Sequence, residues 1–123
     1  MLVTARPPLV AFNVELAPPA TLDEARAIAA LIREGGDEGL DSVRAIGIWL
    51  AQRDVAQVST NVEDHRATSL AAVVEAVGRH APVARAELVG LAPRAAFDRF
   101  PEDVPVDNKR LIEDALTRVD YTN

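Results

Sequence analysis

Apolar and polar residues alternate along "LVAFNVEL", Leu9 to Leu16, with Val10, Phe12, Val14 and Leu16 on one side and Ala11, Asn13 and Glu15 on the other. That two-residue period predicts a strand with one buried face. After "APPA", Thr21 and Glu24 in "TLDE" fit a capping box, and Leu22, Ala25, Ile28, Ala29 and Ile32 recur at helical spacing until Gly35-Gly36. "VRAIGIWL", Val43 to Leu50, and "VAQVSTNVE" predict two strands joined as a hairpin by Gln52, Arg53 and Asp54. Leu70, Val73, Val74 and Val77 then form the stripe of a second helix, with Thr68 or Ser69 as its cap and Pro82 beyond its end. "VARAELVGL", Val83 to Leu91, is a fourth strand. A short helical turn at Arg94 to Arg99 and the loop "PEDVP" lead to a last helix, capped by Asp107, with Leu111, Ile112, Ala115, Leu116 and Val119 as its apolar stripe.

The order βαββαβ plus a C-terminal helix predicts an α+β fold. Right-handed crossovers make it a ferredoxin-like sandwich: a four-stranded antiparallel sheet with two helices on one face and the other face open. The first and third strands lie at the centre, the fourth beside the first and the second beside the third. Asn13 and Glu15 then sit next to Gln57, Ser59 and Asn61 on the open face. With a three-residue hairpin loop, Trp49 lies opposite Gln57, Gly47 opposite Ser59 and Ala45 opposite Asn61. Glu87 comes toward Asn13, and Arg85 toward Glu15. A one-sided sheet commonly shows water a polar face, but amides such as Gln57 and Asn61 also suit a heterocycle or carboxylate, because each carries both donors and acceptors. A partner domain or subunit on this face is the third possibility, and the pattern leaves all three open.

Composition narrows the classes. At 123 residues the chain is expected to form one domain, residues 1–123. A net charge of −6, with thirteen scattered basic residues, argues against a nucleic-acid partner. No apolar run reaches the ~18 residues of a membrane span. The start "MLVTARPPLV" lacks the charged leader and long apolar region of a secretory signal, and there is no cysteine, so a cytoplasmic home is expected. No His/Asp/Glu spacing calls for a metal.

Three blocks, "LVAFNVEL", "VRAIGIWL" running into "AQVSTN", and "ELVGLAP", stand together in an order and spacing that resembles the C-terminal subdomain of glutamate formiminotransferase (formimidoyltransferase), from about Ala5 to the final helix. The resemblance implies transfer of a formimino group from N-formimino-L-glutamate to tetrahydrofolate in histidine degradation, with folate held between two ferredoxin-like subdomains. Tetrahydrofolate would be a substrate, and no metal is implied. The catalytic histidine belongs to the N-terminal subdomain, which has no counterpart here, so this chain alone is expected to be inactive and to contribute no catalytic residue. The expected ligand-binding residues are Arg6, Asn13, Glu15, Gly47, Trp49, Gln57, Ser59, Asn61, Arg85 and Glu87. The expected partners are a folate-type ligand and either a separate N-terminal subdomain or a second copy docked face to face.

Two departures stand inside the match. Where the family commonly has Asn, this chain has Glu15, and where it commonly has Gly-Ser it has Arg85-Ala86. Neighbouring strands bring Glu15 and Arg85 together, which predicts an ion pair bridging part of the groove. Of the histidines, His80 reads as a helix-end or solvated residue. His65, with Glu63 or Glu87, would be the base of an independent enzyme, the third functional class.

Overall fold

The structure, a computed structural model, describes residues 7–115. Strand β1 (Val10–Leu16) leads to α1 (Leu22–Ile32), β2 (Val43–Leu50), β3 (Val55–Val62), α2 (Leu70–Gly78) and β4 (Val83–Val89). A 3-10 turn at Arg94–Phe97 and a two-residue strand, β5 (Val106–Asp107), follow. The sheet runs β2-β3-β1-β4-β5. β1 to β4 pair antiparallel as expected, whereas β5 pairs parallel to β4 and makes the sheet five-stranded instead of four-stranded.

Local chemistry sets the elements. Thr21 accepts the Glu24 amide and Glu24 accepts the Thr21 amide at 2.9 Å, the reciprocal capping box. The chain leaves α1 through Gly35 at φ +92°, a conformation that costs a residue without Cβ least. Ser69, not Thr68, caps α2 by accepting the Ala72 amide. Thr68 instead donates to the Asp41 carbonyl at 2.7 Å, tying the start of α2 to the loop before β2.

The core lies between the two α-helices and one sheet face. Val10, Phe12, Val14 and Leu16 of β1 and Val58 and Val62 of β3 are fully buried there with Ile28 and Ile32 of α1 and Val73 and Val77 of α2. Phe12, Phe97 and Phe100 pack edge to face with ring centroids 5.4–6.3 Å apart, fixing the segment after β4 to the central strand.

The β2–β3 hairpin differs from expectation by one residue. Leu50 pairs with Val55, so the loop is 51–54, closed by Asp54 N–H donating to the Leu50 carbonyl at 2.7 Å with Asp54 at φ 57°. A one-residue change in register exchanges the two faces of a strand. Gly47 therefore lies opposite Val58, Trp49 opposite Ala56 and Ala45 opposite Thr60, all on the helix side, while Ile46 lies opposite Ser59 and Ile48 opposite Gln57. A Cβ on Gly47 would stand 2.4 Å from the Arg26 nitrogen and 2.6 Å from the Ala25 carbonyl carbon, so this glycine is what lets α1 lie against β2.

The C-terminal expectation also changes. Asp107 does not cap a helix: it belongs to β5, and its carboxylate accepts from Arg85 at 3.1 Å. Helical geometry begins at Ile112, with Ala115 N–H bonded to the Leu111 carbonyl. Leu116 and Val119 lie outside the described residues, as does Arg6. No helix among the described residues is long and apolar enough to cross a membrane.

Candidate functional site

The open face is ordered in rows that cross the strands. In one row Ile46, Ser59, Asn13 and Glu87 stand side by side; in the next, Ile48, Gln57, Glu15 and Arg85; and in a third, Arg44, Asn61, Ala11 and Val89. This juxtaposition follows from strand parity and the observed register. It gathers seven of the expected residues, Asn13, Glu15, Gln57, Ser59, Asn61, Arg85 and Glu87, on one surface. Gly47 and Trp49 are on the opposite side of the sheet, Trp49 40% exposed beyond the end of the core.

The first row is a hydrogen-bonded chain. Ser59 donates to Asn13 Oδ1 at 2.8 Å, and Asn13 Nδ2 donates to Glu87 Oε1 at 3.4 Å. Asn108 Nδ2 donates to the other Glu87 oxygen at 3.2 Å. The Asn13 amide is thereby oriented, and the Glu87 carboxylate is held by two neutral donors.

Gln57, Glu15 and Arg85 of the second row line a cleft of about 210 Å³ whose walls also include Asn13, Arg53 and Glu87. Glu15 and Arg85 are cross-strand neighbours on the same face, but no ion pair joins them. Arg85 turns outward to Asp107 at 3.1 Å, and Arg53 reaches in from the hairpin loop, its Nε 3.1 Å from Glu15 Oε1 and its Nη2 donating to Oε2 at 3.4 Å. A fifth strand and a four-residue loop, neither expected, each supply a counterion that replaces the expected partner. Gln57 is 5% exposed, and its side-chain amide has no hydrogen bond among the described residues. The amide reaches the cleft surface, since the one buried side-chain polar atom left without a partner among the described residues is His65 Nδ1, in the other hollow.

The histidines lie elsewhere. His80 Nε2 is 2.8 Å from Glu38, across the loop after α1. His65 follows β3 and lines a separate hollow of about 480 Å³ with Thr68, Ser69, Ala72, Ala95 and Asp98, sharing no residue with the open-face cleft. Glu63, its proposed partner, is bound to Arg44 at 2.8 Å at the sheet edge. Two acids have lowered pKa values. Hydrogen bonds from the Arg66 side chain and amide hold Asp64 below the usual carboxylate range, and the Arg94 amide does the same for Glu113. Both lie off the open face. Among the described residues no group of three or more His, Asp or Glu could hold a metal ion.

Sequence reasoning missed Arg53, Asp107 and Asn108 as contributors to the face. Arg53 had a signal, as a long basic side chain at the end of the hairpin whose strand carries Gln57; Asp107 and Asn108 had none, because a two-residue strand leaves no periodicity to read.

The family profile described as Formiminotransferase domain matches residues 11–104. The chain is 40% identical over 103 residues to formimidoyltransferase-cyclodeaminase of Rattus norvegicus, covering 76% of this chain and 19% of that protein. Glutamate formimidoyltransferase of Streptococcus pyogenes serotype M1 is 40% identical over 100 residues, covering 77% of this chain and 33% of that protein. The pig formimidoyltransferase-cyclodeaminase is 38% identical over 121 residues, or 89% of this chain. The chain thus spans about a fifth to a third of these relatives.

Proposed function

The chain belongs to the formiminotransferase domain family, and from that premise we propose that its open sheet face is one wall of a folate groove, serving formimino transfer from N-formimino-L-glutamate to tetrahydrofolate. The arrangement reads as a ferredoxin-like sandwich with an added edge strand. The observation that carries the proposal is Gln57: its side chain is largely enclosed, but its amide reaches the surface of a cleft on the sheet face opposite the two α-helices and makes no hydrogen bond among the described residues. Such a group is satisfied when a ligand brings a donor and an acceptor to it. The cleft volume of about 210 Å³ is below the ~300–1,000 Å³ of a complete small-molecule site, which fits one wall of a groove whose other wall is a second unit.

Transfer between an amidine carbon and a folate nitrogen requires aligned reactants, stabilisation of a tetrahedral intermediate and a proton for the departing amine. This wall provides alignment. Asn13, with its orientation fixed by Ser59 and Glu87, and Asn61 and Gln57 offer hydrogen bonds to the pterin edge or a glutamate carboxylate. Arg85 offers a cation to an anionic tail. Neither His65 nor His80 stands on the face, so we assign the proton transfer to an N-terminal formiminotransferase subdomain.

The test is calorimetric titration with folinate, followed by an activity assay with and without an N-terminal formiminotransferase subdomain. Binding to the wall, and turnover only in the mixture, are expected; turnover by the chain alone would refute the division of labour.

A second reading rests on different residues. Ile46, Val89 and Leu91 are 60%, 51% and 43% exposed on and beside the open face, flanking its polar rows with apolar surface suited to another polypeptide. A homodimer formed through this face, with or without folate, is that reading, and a monomer by light scattering at all concentrations would remove it.

A further inference from the structure

Glu15 is 9% exposed and sits beside Gln57 in the sheet, yet the only partner its carboxylate has among the described residues is a guanidinium from the hairpin loop. That loop is exposed throughout 51–54, and the Arg53 side chain is 47% exposed. The contact is two-pronged: the Nε–Cζ–Nη2 edge of Arg53 faces both Glu15 oxygens, at 3.1 and 3.4 Å. An amidinium carries that same planar N–C–N pair of donors. We propose that Glu15 and Gln57 form a subsite for a planar amidinium group, and that Arg53 occupies it in the free chain as a displaceable stand-in.

The two side chains divide the work. The carboxylate takes the two parallel N–H bonds of the amidinium, which fixes the plane of the ligand. The adjacent Gln57 amide, without a bond in the free chain, takes the donor or acceptor carried by the next atom of the ligand. Arg53 is exchangeable because the incoming amidinium takes over its charge and both bonds to Glu15, while its own head is half in water and its loop is anchored by the backbone bonds from Arg53 and Asp54 to the Leu50 carbonyl, not by the guanidinium. On the opposite flank Arg85 is held away from Glu15 by Asp107 at 3.1 Å, so it does not compete. The inference rests on reading the open face as a ligand wall, and would place the amidine end of the formimino donor over Glu15.

Benzamidine, a cation at neutral pH, is the probe, titrated into the full chain and followed by ¹³C and ¹⁵N NMR. The expected result is saturable binding that shifts the Glu15 carboxylate carbon and the Gln57 side-chain amide and moves Arg53 Nε–H toward its solvated value. Arg53→Ala should tighten binding by about two- to fivefold, the worth of a half-exposed ion pair. Glu15→Gln should weaken it by about tenfold or more, and cyclohexylammonium, a point cation of similar size, should bind at least about fivefold more weakly than benzamidine. Unchanged or weaker binding to Arg53→Ala overturns the proposal, as does equal affinity for cyclohexylammonium or a response confined to other carboxylates. Arg53 lies on an exposed loop, so this arm does not depend on Glu15→Gln remaining folded. Folinate separates the two readings. Folinate binding without benzamidine binding removes the amidinium subsite and leaves the folate wall; benzamidine binding as described without folinate binding upholds the subsite and removes the folate wall.

Discussion

Replacing Gly47 by alanine adds one carbon, and the geometry makes that carbon costly. Its ideal position is 2.4 Å from the Arg26 nitrogen, 2.6 Å from the Ala25 carbonyl carbon and 2.7 Å from the Arg26 Cα, all backbone atoms of α1. Ordinary contact needs ~3.5 Å or more, so helix and strand must separate by about 1 Å. A gap of that size forfeits a quarter to a half of the dispersion energy at each affected contact, and α1 buries Ala25, Ile28, Ala29 and Ile32 against this sheet face. The sum is about 2–3 kcal/mol, the upper part of the range for overpacked cores. In urea, with a slope of about 1–3 kcal/mol/M, the midpoint should fall by about 1 M or more with the slope unchanged. Gly78→Ala is the matched control: its nearest neighbour would be Val83 Cγ2 at 4.0 Å, and the change should stabilise by up to about 1 kcal/mol through helix propensity. A Gly47→Ala midpoint within error of the parent would mean that Gly47 faces open space, and the hairpin register with every face assignment in β2 would be wrong.

Other outcomes follow from the same geometry. Phe12→Ala removes one ring of the three-ring cluster and should cost about 3–5 kcal/mol by urea denaturation, against about 1 kcal/mol for Arg53→Ala, which takes the guanidinium from the 9% exposed Glu15. Arg85→Ala takes the counterion from Asp107 and should raise amide exchange at Val106 and Asp107 while leaving the β1–β3 amides protected. Asp64 and Glu113 have folded pKa values below their unfolded ones, so each contributes stability that is present above the unfolded value and lost as pH falls through the folded value. Urea midpoints should therefore decline on the acid side of the ordinary carboxylate range, and Arg66→Ala should remove only the Asp64 share of that decline.

Most of the topology was legible because buried parity and caps agree. Phe12, Val14 and Val58 mark the helix side of the two central strands, and Thr21 with Glu24 marks where α1 begins. The second strand was not legible in register, since both of its parities are largely apolar: Val43, Ala45, Gly47 and Trp49 against Ile46, Ile48 and Leu50. Arg44, on the parity of Ile46 and Ile48, is the one charged mark that favours the observed side, but it stands at the strand's end; Ala51 carries no turn signal, so the backbone bond from Asp54 to Leu50 was invisible. The neighbourhood of Glu15 and Arg85 was right while their pairing was not. A cross-strand pair is set by register, but its counterions are set by whatever loop and edge residues arrive from outside, here Arg53 and Asp107. The placement of the expected residues of β1, β3 and β4 on one face follows from alternation alone, which is why it does not depend on the register of β2.

The central claim is that the open face meets a folate-type ligand, and the side-chain amides of Gln57 and Asn13 report on it directly. Titrating the full chain with folinate and following those amides by ¹⁵N NMR should give saturable shifts at both, with the amides of the helix face unmoved. No shift at either amide up to millimolar folinate, or shifts confined to the helix side of the sheet, would contradict it.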